Sequence, residues 1–111
     1  MLIQFSIENY LSFGERTTLS LIPAKSRKQK DHIIHCEKGK DVSVLPIAAF
    51  YGANASGKSN FVKAIQFFRS LVLGQIDTIK SIPLSRFKLN DTSVEQPARF
   101  EIAFKHAGVL Y

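Results

Sequence analysis

The stretch that decides the fold runs from Leu45 to Leu73 and reads LPIAAFYGANASGKSNFVKAIQFFRSLVL. The apolar run from Leu45 to Tyr51 is typical of a buried parallel strand, because both faces of such a strand are covered. After a loop, apolar residues recur at helical spacing, namely Phe61, Ala64, Ile65, Phe68, Leu71 and Val72. The stretch therefore predicts a strand, a loop and a core-facing helix over residues 59–73, with Gly74 as the C-terminal stop.

The loop has the spacing G-x-x-x-x-G-K-S, which is the P-loop pattern, and it predicts phosphate binding. Gly52 lets the backbone leave the strand, and the following N–H groups form a concave anion site. The helix that begins near Gly57 adds unpaired N–H groups and a positive dipole end. Lys58 supplies a full charge for the outer phosphates, and Ser59 supplies a hydroxyl for Mg²⁺. The alternative, a glycine-rich turn before a lysine, is disfavoured by the flanking strand and helix.

Further strands are predicted on both sides of this stretch. Residues 2–8 alternate, with Ile3, Phe5 and Ile7 on one face, and residues 17–22 plausibly pair with them as an antiparallel hairpin. Other predicted strands lie at residues 33–34, 83–89, 99–105 and 109–111. The predicted fold class is α/β, with a mixed sheet, antiparallel N-terminal strands and a central P-loop strand packed on the helix.

Composition and charge narrow the classes of function. The chain has 111 residues, 45% of them hydrophobic and 22% charged, which suits one small globular domain. The net charge of +6 favours anionic partners such as a nucleotide, DNA or RNA. A single cysteine, Cys36, fits a reducing compartment. The N-terminus lacks a signal-peptide pattern, and no apolar run approaches the length of a membrane span, so we expect a cytoplasmic location and no membrane partner.

The segment from residue 24 to residue 41 is polar and basic. It carries Lys25, Arg27, Lys28, Lys30, Lys38 and Lys40 against Asp31 and Glu37. One interpretation is a solvated connection between strands, and the other is a surface that contacts phosphates of a nucleotide or nucleic acid. The same segment contains His32, His35 and Cys36, but only His106 remains as a further ligand, which disfavours structural zinc.

The full loop reads Gly52, Ala53, Asn54, Ala55, Ser56, Gly57, Lys58, Ser59 and Asn60. The form G-x-N-x-S-G-K-S-N resembles the ATPase heads of the RecF, SMC and OLD group, which are ABC-type ATPases. The segment IENYLSF, residues 7–13, is similar to the opening motif of that group. The segment PARFEIAFKHAGVLY, residues 97–111, is similar to the antiparallel strands that follow the first helix in bacterial AAA-type ATPases of anti-phage defence systems.

The resemblance implies a cofactor, a site and partners. Residues 52–60 would bind the triphosphate of ATP, Lys58 would act in catalysis, and Ser59 would ligate Mg²⁺. The turn from Tyr10 to Phe13 would lie near the base or ribose. Two heads would sandwich ATP as a homodimer, and hydrolysis would drive their conformational switching in DNA maintenance or anti-phage defence, with an effector protein such as a nuclease as a further partner.

Parts of the catalytic set that the resemblance requires are missing from the 111 residues. We find no Walker B strand ending in Asp-Glu, no signature motif and no Q-loop glutamine. We therefore expect residues 1–111 to be the N-terminal portion of one ABC-type head domain, with those motifs downstream, and to lack ATPase activity alone. Two alternatives stay open: a nucleic-acid-binding head that uses the basic stretch at residues 25–40, and a regulatory ATP-binding module with little turnover.

Overall fold

The computed structural model describes residues 1–24, 33–35, 43–76, 82 and 84–111. The elements in chain order are β1 (Leu2–Glu8), β2 (Thr17–Ser20), β3 (Ile34–His35), β4 (Ser43–Val44), α1 (Lys58–Val72), a 3₁₀ turn (Asp91–Val94), β5 (Arg99–His106) and β6 (Val109–Leu110). The chain divides into two compact units. The first comprises residues 1–6, 18–49 and 101–111, and the second comprises residues 7–17 and 50–100.

A four-stranded sheet has the strand order β2-β1-β5-β6, and most residues of its strands belong to the first unit. The hydroxyls of Ser6 and Thr18 lie 2.9 Å apart, and the N–H of Leu21 donates to the carbonyl of Ile3 at 2.8 Å. Residue numbers therefore run in opposite directions across this pair, which confirms the predicted antiparallel hairpin. Ile3, Phe5 and Ile7 are all buried, as the alternation of β1 predicts.

A tight hairpin joins β5 to β6. Ala107 and Gly108 both have positive φ, 49° and 84°, as a two-residue type I′ turn requires. The register pairs Lys105 with Leu110 and His106 with Val109. The strand predicted at residues 109–111 is therefore formed. A separate two-stranded sheet pairs β3 with β4, Ile34 opposite Val44, so the strand predicted at residues 33–34 forms one residue later.

In the second unit, α1 extends from Lys58 to Val72, one residue earlier at each end than predicted. Gly74 has φ 66°, its N–H donates to Leu71, and the N–H of Gln75 donates to Ser70, which together form a Schellman motif. The predicted stop at Gly74 is confirmed. Val72 does not face the core, because it is 67% exposed while Phe61 is 5% exposed.

Two predicted strands are wrong. Residues 45–51 are not part of any strand that the structure describes, and Ile47 and Tyr51 are 82% and 94% exposed. A parallel strand exists only where neighbouring strands supply a ladder of hydrogen bonds. The N–H of Leu45 donates to the carbonyl of Leu21 at 2.8 Å, but this contact is not continued as a strand along residues 46–51. Residues 84–88 are likewise irregular and not a strand. The antiparallel strands with one helix remain consistent with an α/β class, but the central parallel strand is not formed.

Candidate functional site

The loop before α1 turns through residues with positive φ. Gly52, Ala55 and Gly57 have φ values of 154°, 63° and 92°. A Cβ added to Gly52 would lie 3.1 Å from the hydroxyl oxygen of Ser56, and one added to Gly57 would lie 3.0 Å from that of Ser12. Both positions therefore require glycine, for conformation and for space.

The ammonium group of Lys58 lies against this loop. Its Nζ donates to the carbonyl oxygens of Gly52 at 2.8 Å and Ala53 at 2.6 Å, and to the Oγ of Ser56 at 3.3 Å. The side chain thus bends back over the loop from the first residue of α1. The P-loop pattern predicts a positive charge at the loop, and the Lys58 ammonium supplies it through its contacts with Gly52, Ala53 and Ser56.

The N-terminus of α1 adds further donors at the same place. Gly57 caps the helix without a side-chain hydrogen bond, and the first turn contains no acidic residue. The intrahelical bonds begin with the N–H of Phe61 donating to Gly57. The N–H groups of Lys58, Ser59 and Asn60 precede this bond, so they have no partner within the helix. These amides and the helix dipole favour an anion.

A pocket of about 280 Å³ lies at this end of the helix, and its lining consists of Asn54, Ala55, Ser56, Gly57, Lys58, Ser59 and Asn60. Seven of the nine residues predicted to bind the triphosphate therefore line one cavity, while Gly52 and Ala53 contact it through the Lys58 ammonium. Backbone amides, an ammonium group and hydroxyls around one cavity suit a polyanion.

The pocket also contains a group that could ligate Mg²⁺. Ser59 is exposed in the first turn of α1, and its hydroxyl is the hard oxygen ligand that Mg²⁺ prefers. No group of three His, Cys, Asp or Glu side chains among the described residues could hold a metal ion. A magnesium ion at this site would therefore rely on Ser59 and on oxygens that a bound phosphate brings. His32, Cys36 and the basic residues predicted to contact phosphates at positions 25–32 and 36–40 lie outside the described residues.

A comparison with known protein families identifies the family. A family model described as "AAA domain, putative AbiEii toxin, Type IV TA system" matches residues 47–111, more than half of the chain. The chain belongs to this family. The match supports a nucleotide-binding, ATPase-like function in general, and AAA ATPases generally use ATP and Mg²⁺. No curated protein and no solved structure matches the chain. Within the described ranges, this AAA domain has no helix long and apolar enough to cross a membrane.

The predicted turn from Tyr10 to Phe13 contacts the loop of this AAA domain through Ser12 and not through Tyr10. Tyr10 is buried, with its ring centroid 5.2 Å from Phe67 and 5.1 Å from Phe100, so it belongs to the core. Burial also raises the pKa of the Tyr10 hydroxyl, which keeps it neutral. Ser12 instead faces the loop, because the side-chain amide of Asn60 donates to its Oγ at 3.2 Å.

Sequence reasoning missed Asn9, which holds this turn of the AAA domain in place. Asn9 is 2% exposed and has φ 50°. Its Nδ2 donates to the carbonyls of Ser93 at 2.7 Å and Gln96 at 2.8 Å, and its Oδ1 accepts from the N–H of Phe87 at 3.3 Å. An asparagine directly after an alternating strand is a signal for a left-handed turn residue, and that signal was available in the sequence.

Proposed function

We propose that residues 52–60 of this AAA domain are a Walker A loop that binds the triphosphate of ATP, and that the intact protein hydrolyses ATP. The observation that carries the proposal is the position of Lys58. Its ammonium is hydrogen-bonded to two loop carbonyls, beside a helix N-terminus that no side chain caps. A phosphate at this point would meet a full positive charge and unpaired amides together.

Each part of the loop has a role in this proposal. The backbone N–H groups of Ala53, Asn54 and Ala55 and those at the start of α1 would donate to phosphate oxygens. Lys58 would exchange its carbonyl partners for the outer phosphates, where it acts in catalysis by neutralising charge. Ser59 would ligate Mg²⁺, which when bound shields the negative charge that phosphoryl transfer to water develops. Asn60 would hold the first turn of the helix against Ser12.

Two sequence motifs support a more specific assignment within the P-loop ATPases. The loop form G-x-N-x-S-G-K-S-N and the segment IENYLSF support an ABC-type head of the RecF, SMC and OLD group. In that case two copies would sandwich ATP, and turnover would switch them between open and closed states in DNA maintenance or anti-phage defence. The net charge of +6 favours a second candidate, a head that also engages nucleic acid through residues 25–40.

Substitution of Lys58 tests the proposal. Lys58→Ala should weaken ATP binding by the intact protein about tenfold to a hundredfold, the equivalent of the hydrogen bonds of a charged group. Isothermal titration calorimetry in the presence of Mg²⁺ measures the affinity. Lys63→Ala is the matched control, because Lys63 is exposed on the same helix and carries the same charge. Equal ATP affinity in Lys58→Ala and the wild type would refute the assignment.

A second measurement addresses turnover. A protein limited to residues 1–111 should release no phosphate from ATP, because these residues contain no Asp-Glu pair to position the attacking water. The intact protein should release phosphate, and little turnover would instead favour the regulatory binding module. Phosphate release from the purified 111-residue protein, abolished by Lys58→Ala, would overturn the proposed division of roles.

A further inference from the structure

We propose that Ser12 is a positioning residue for the phosphate loop, because its hydroxyl restrains the Asn60 side chain and so keeps the backbone amides at the start of α1 available to phosphates. This inference rests on the proposed function, since it explains how those amides stay open to a ligand. In this role Ser12 makes no contact with the nucleotide and acts through Asn60.

Asn60 occupies a position from which its side chain can close the anion site. Gly57 is the N-cap of α1, so Asn60 is the third residue of the helix. A polar side chain at this position can accept a hydrogen bond from the backbone N–H of the N-cap residue. Asparagine side chains also bond readily to neighbouring main-chain groups. Because Asn60 lines the pocket at this end of the helix, an unrestrained carboxamide would compete with phosphate oxygens for the same donors.

The hydroxyl of Ser12 engages this carboxamide. The Nδ2 of Asn60 donates to the Oγ of Ser12 at 3.2 Å. The same Oγ would lie 3.0 Å from a Cβ added to Gly57, so Ser12 also packs directly against the N-cap. A carboxamide bonded in this way is tied to the turn after β1, which disfavours the rotamers that reach back to the helix amides.

The turn that carries Ser12 is itself fixed. Tyr10 and Phe13 exchange two backbone hydrogen bonds of 3.0 Å, which places Leu11 and Ser12 at the tip of a tight turn. The N–H of Leu11 donates to the carbonyl of Ser85 at 2.8 Å, which anchors the tip. Because the turn is already ordered, its serine hydroxyl is a preformed acceptor and restrains its partner at little cost in conformational entropy.

A double-mutant cycle tests the inference, with Mg²⁺-ATP and Mg²⁺-tripolyphosphate as probes and calorimetry on the intact protein. Ser12→Ala should weaken binding of both probes by the same factor, about threefold to tenfold, because the freed carboxamide takes up about one hydrogen bond at the amide donors. Adding Asn60→Ala to this variant should restore both affinities to within about twofold of the wild type, and Asn60→Ala alone should stay in that range. A merely structural loss would not be reversed by a second truncation.

Two controls accompany the cycle. Ser12 is exposed, so Ser12→Ala should keep the fold, and urea denaturation checks this. Ser85→Ala is the matched control, because Ser85 is an exposed serine beside the same turn and the carbonyl that bonds Leu11 is retained. It should change the affinity for either probe by less than about twofold.

The outcomes separate this inference from the function on which it rests. Unchanged affinities in Ser12→Ala would overturn the positioning role and leave the phosphate loop standing. Weakening of ATP binding alone would also overturn it, since Ser12 would then contact the nucleoside. A double variant that binds no better than Ser12→Ala would overturn it as well, because the loss would not act through Asn60. Failure of the wild type to bind either probe would refute the proposed function itself, and the positioning role with it.

Discussion

Replacing Asn9 by alanine removes a buried carboxamide that ties the turn after β1 to residues 87–96. The change leaves the carbonyls of Ser93 and Gln96 and the N–H of Phe87 without this partner. Each buried polar group left unpaired costs about 1–3 kcal/mol, although water entering the space recovers part of that. Alanine at φ 50° adds about 1 kcal/mol, because it lacks the polar side chain that lets asparagine occupy the left-handed region. We expect a total loss of about 3–5 kcal/mol in the free energy of unfolding.

Urea denaturation of the intact protein, followed by circular dichroism, measures this loss. Asn9→Gly should lose less than Asn9→Ala, because glycine accepts positive φ, so the difference isolates the backbone contribution. Asn54→Ala is the control, since Asn54 is an exposed asparagine and its replacement should change stability by less than about 0.5 kcal/mol. A loss below about 1 kcal/mol for Asn9→Ala would refute the reasoning, because it would mean that the three hydrogen bonds do not hold the turn.

Two pairs of substitutions test other features by the same denaturation assay. Gly57→Ala should destabilise the protein by at least about 1 kcal/mol more than Gly74→Ala, since both have positive φ but only Gly57 has a neighbouring side chain within 4 Å of an added Cβ. Equal losses would show that the contact at Gly57 relaxes freely. Phe61→Ala should cost about 3–5 kcal/mol and Val72→Ala under about 1 kcal/mol, because Phe61 is 5% and Val72 is 67% exposed. A large loss for Val72→Ala would indicate that another part of the protein covers it.

The features that local sequence patterns determine were predictable. β1 occupies the predicted residues 2–8, because strict alternation specifies both the strand and its buried face. The end of α1 follows from Gly74, whose left-handed conformation closes the helix within two residues. The hairpin at Ala107 and Gly108 is equally local.

The two predicted strands that the structure does not form would depend on hydrogen-bond partners far away in the sequence. Residues 45–51 are as apolar as a buried strand, but apolarity does not specify which segment supplies the hydrogen bonds of a strand. Leu45 donates to Leu21, and no strand continues from there along residues 46–51. The segment 84–88 is held by Asn9, Leu11 and Ser93 instead of a neighbouring strand. The bonds to Asn9 and Leu11 join residues far apart in sequence, so no periodicity reveals them.

One part of the candidate site could be predicted from the local sequence, and another part depends on distant residues. The spacing of Gly52, Gly57 and Lys58 predicts an anion-binding loop, and the structure places the ammonium at that loop. The spacing does not predict that Ser12 lies against Gly57 and Asn60, because the turn that carries Ser12 is oriented by Asn9. The sequence motif likewise did not indicate that the ring of Tyr10 is buried and contacts Phe67 and Phe100.

The hydrogen bonds from Lys58 to Gly52 and Ala53 have a kinetic consequence. A free lysine side chain gives up about 1.5–2 kcal/mol of rotamer entropy when it is immobilised, and here that ordering precedes the arrival of any ligand. Capture of an anion would then be a swap of acceptors on a side chain already in position, without a search through rotamers. On that basis, association should be governed by diffusion and by how quickly those two bonds open.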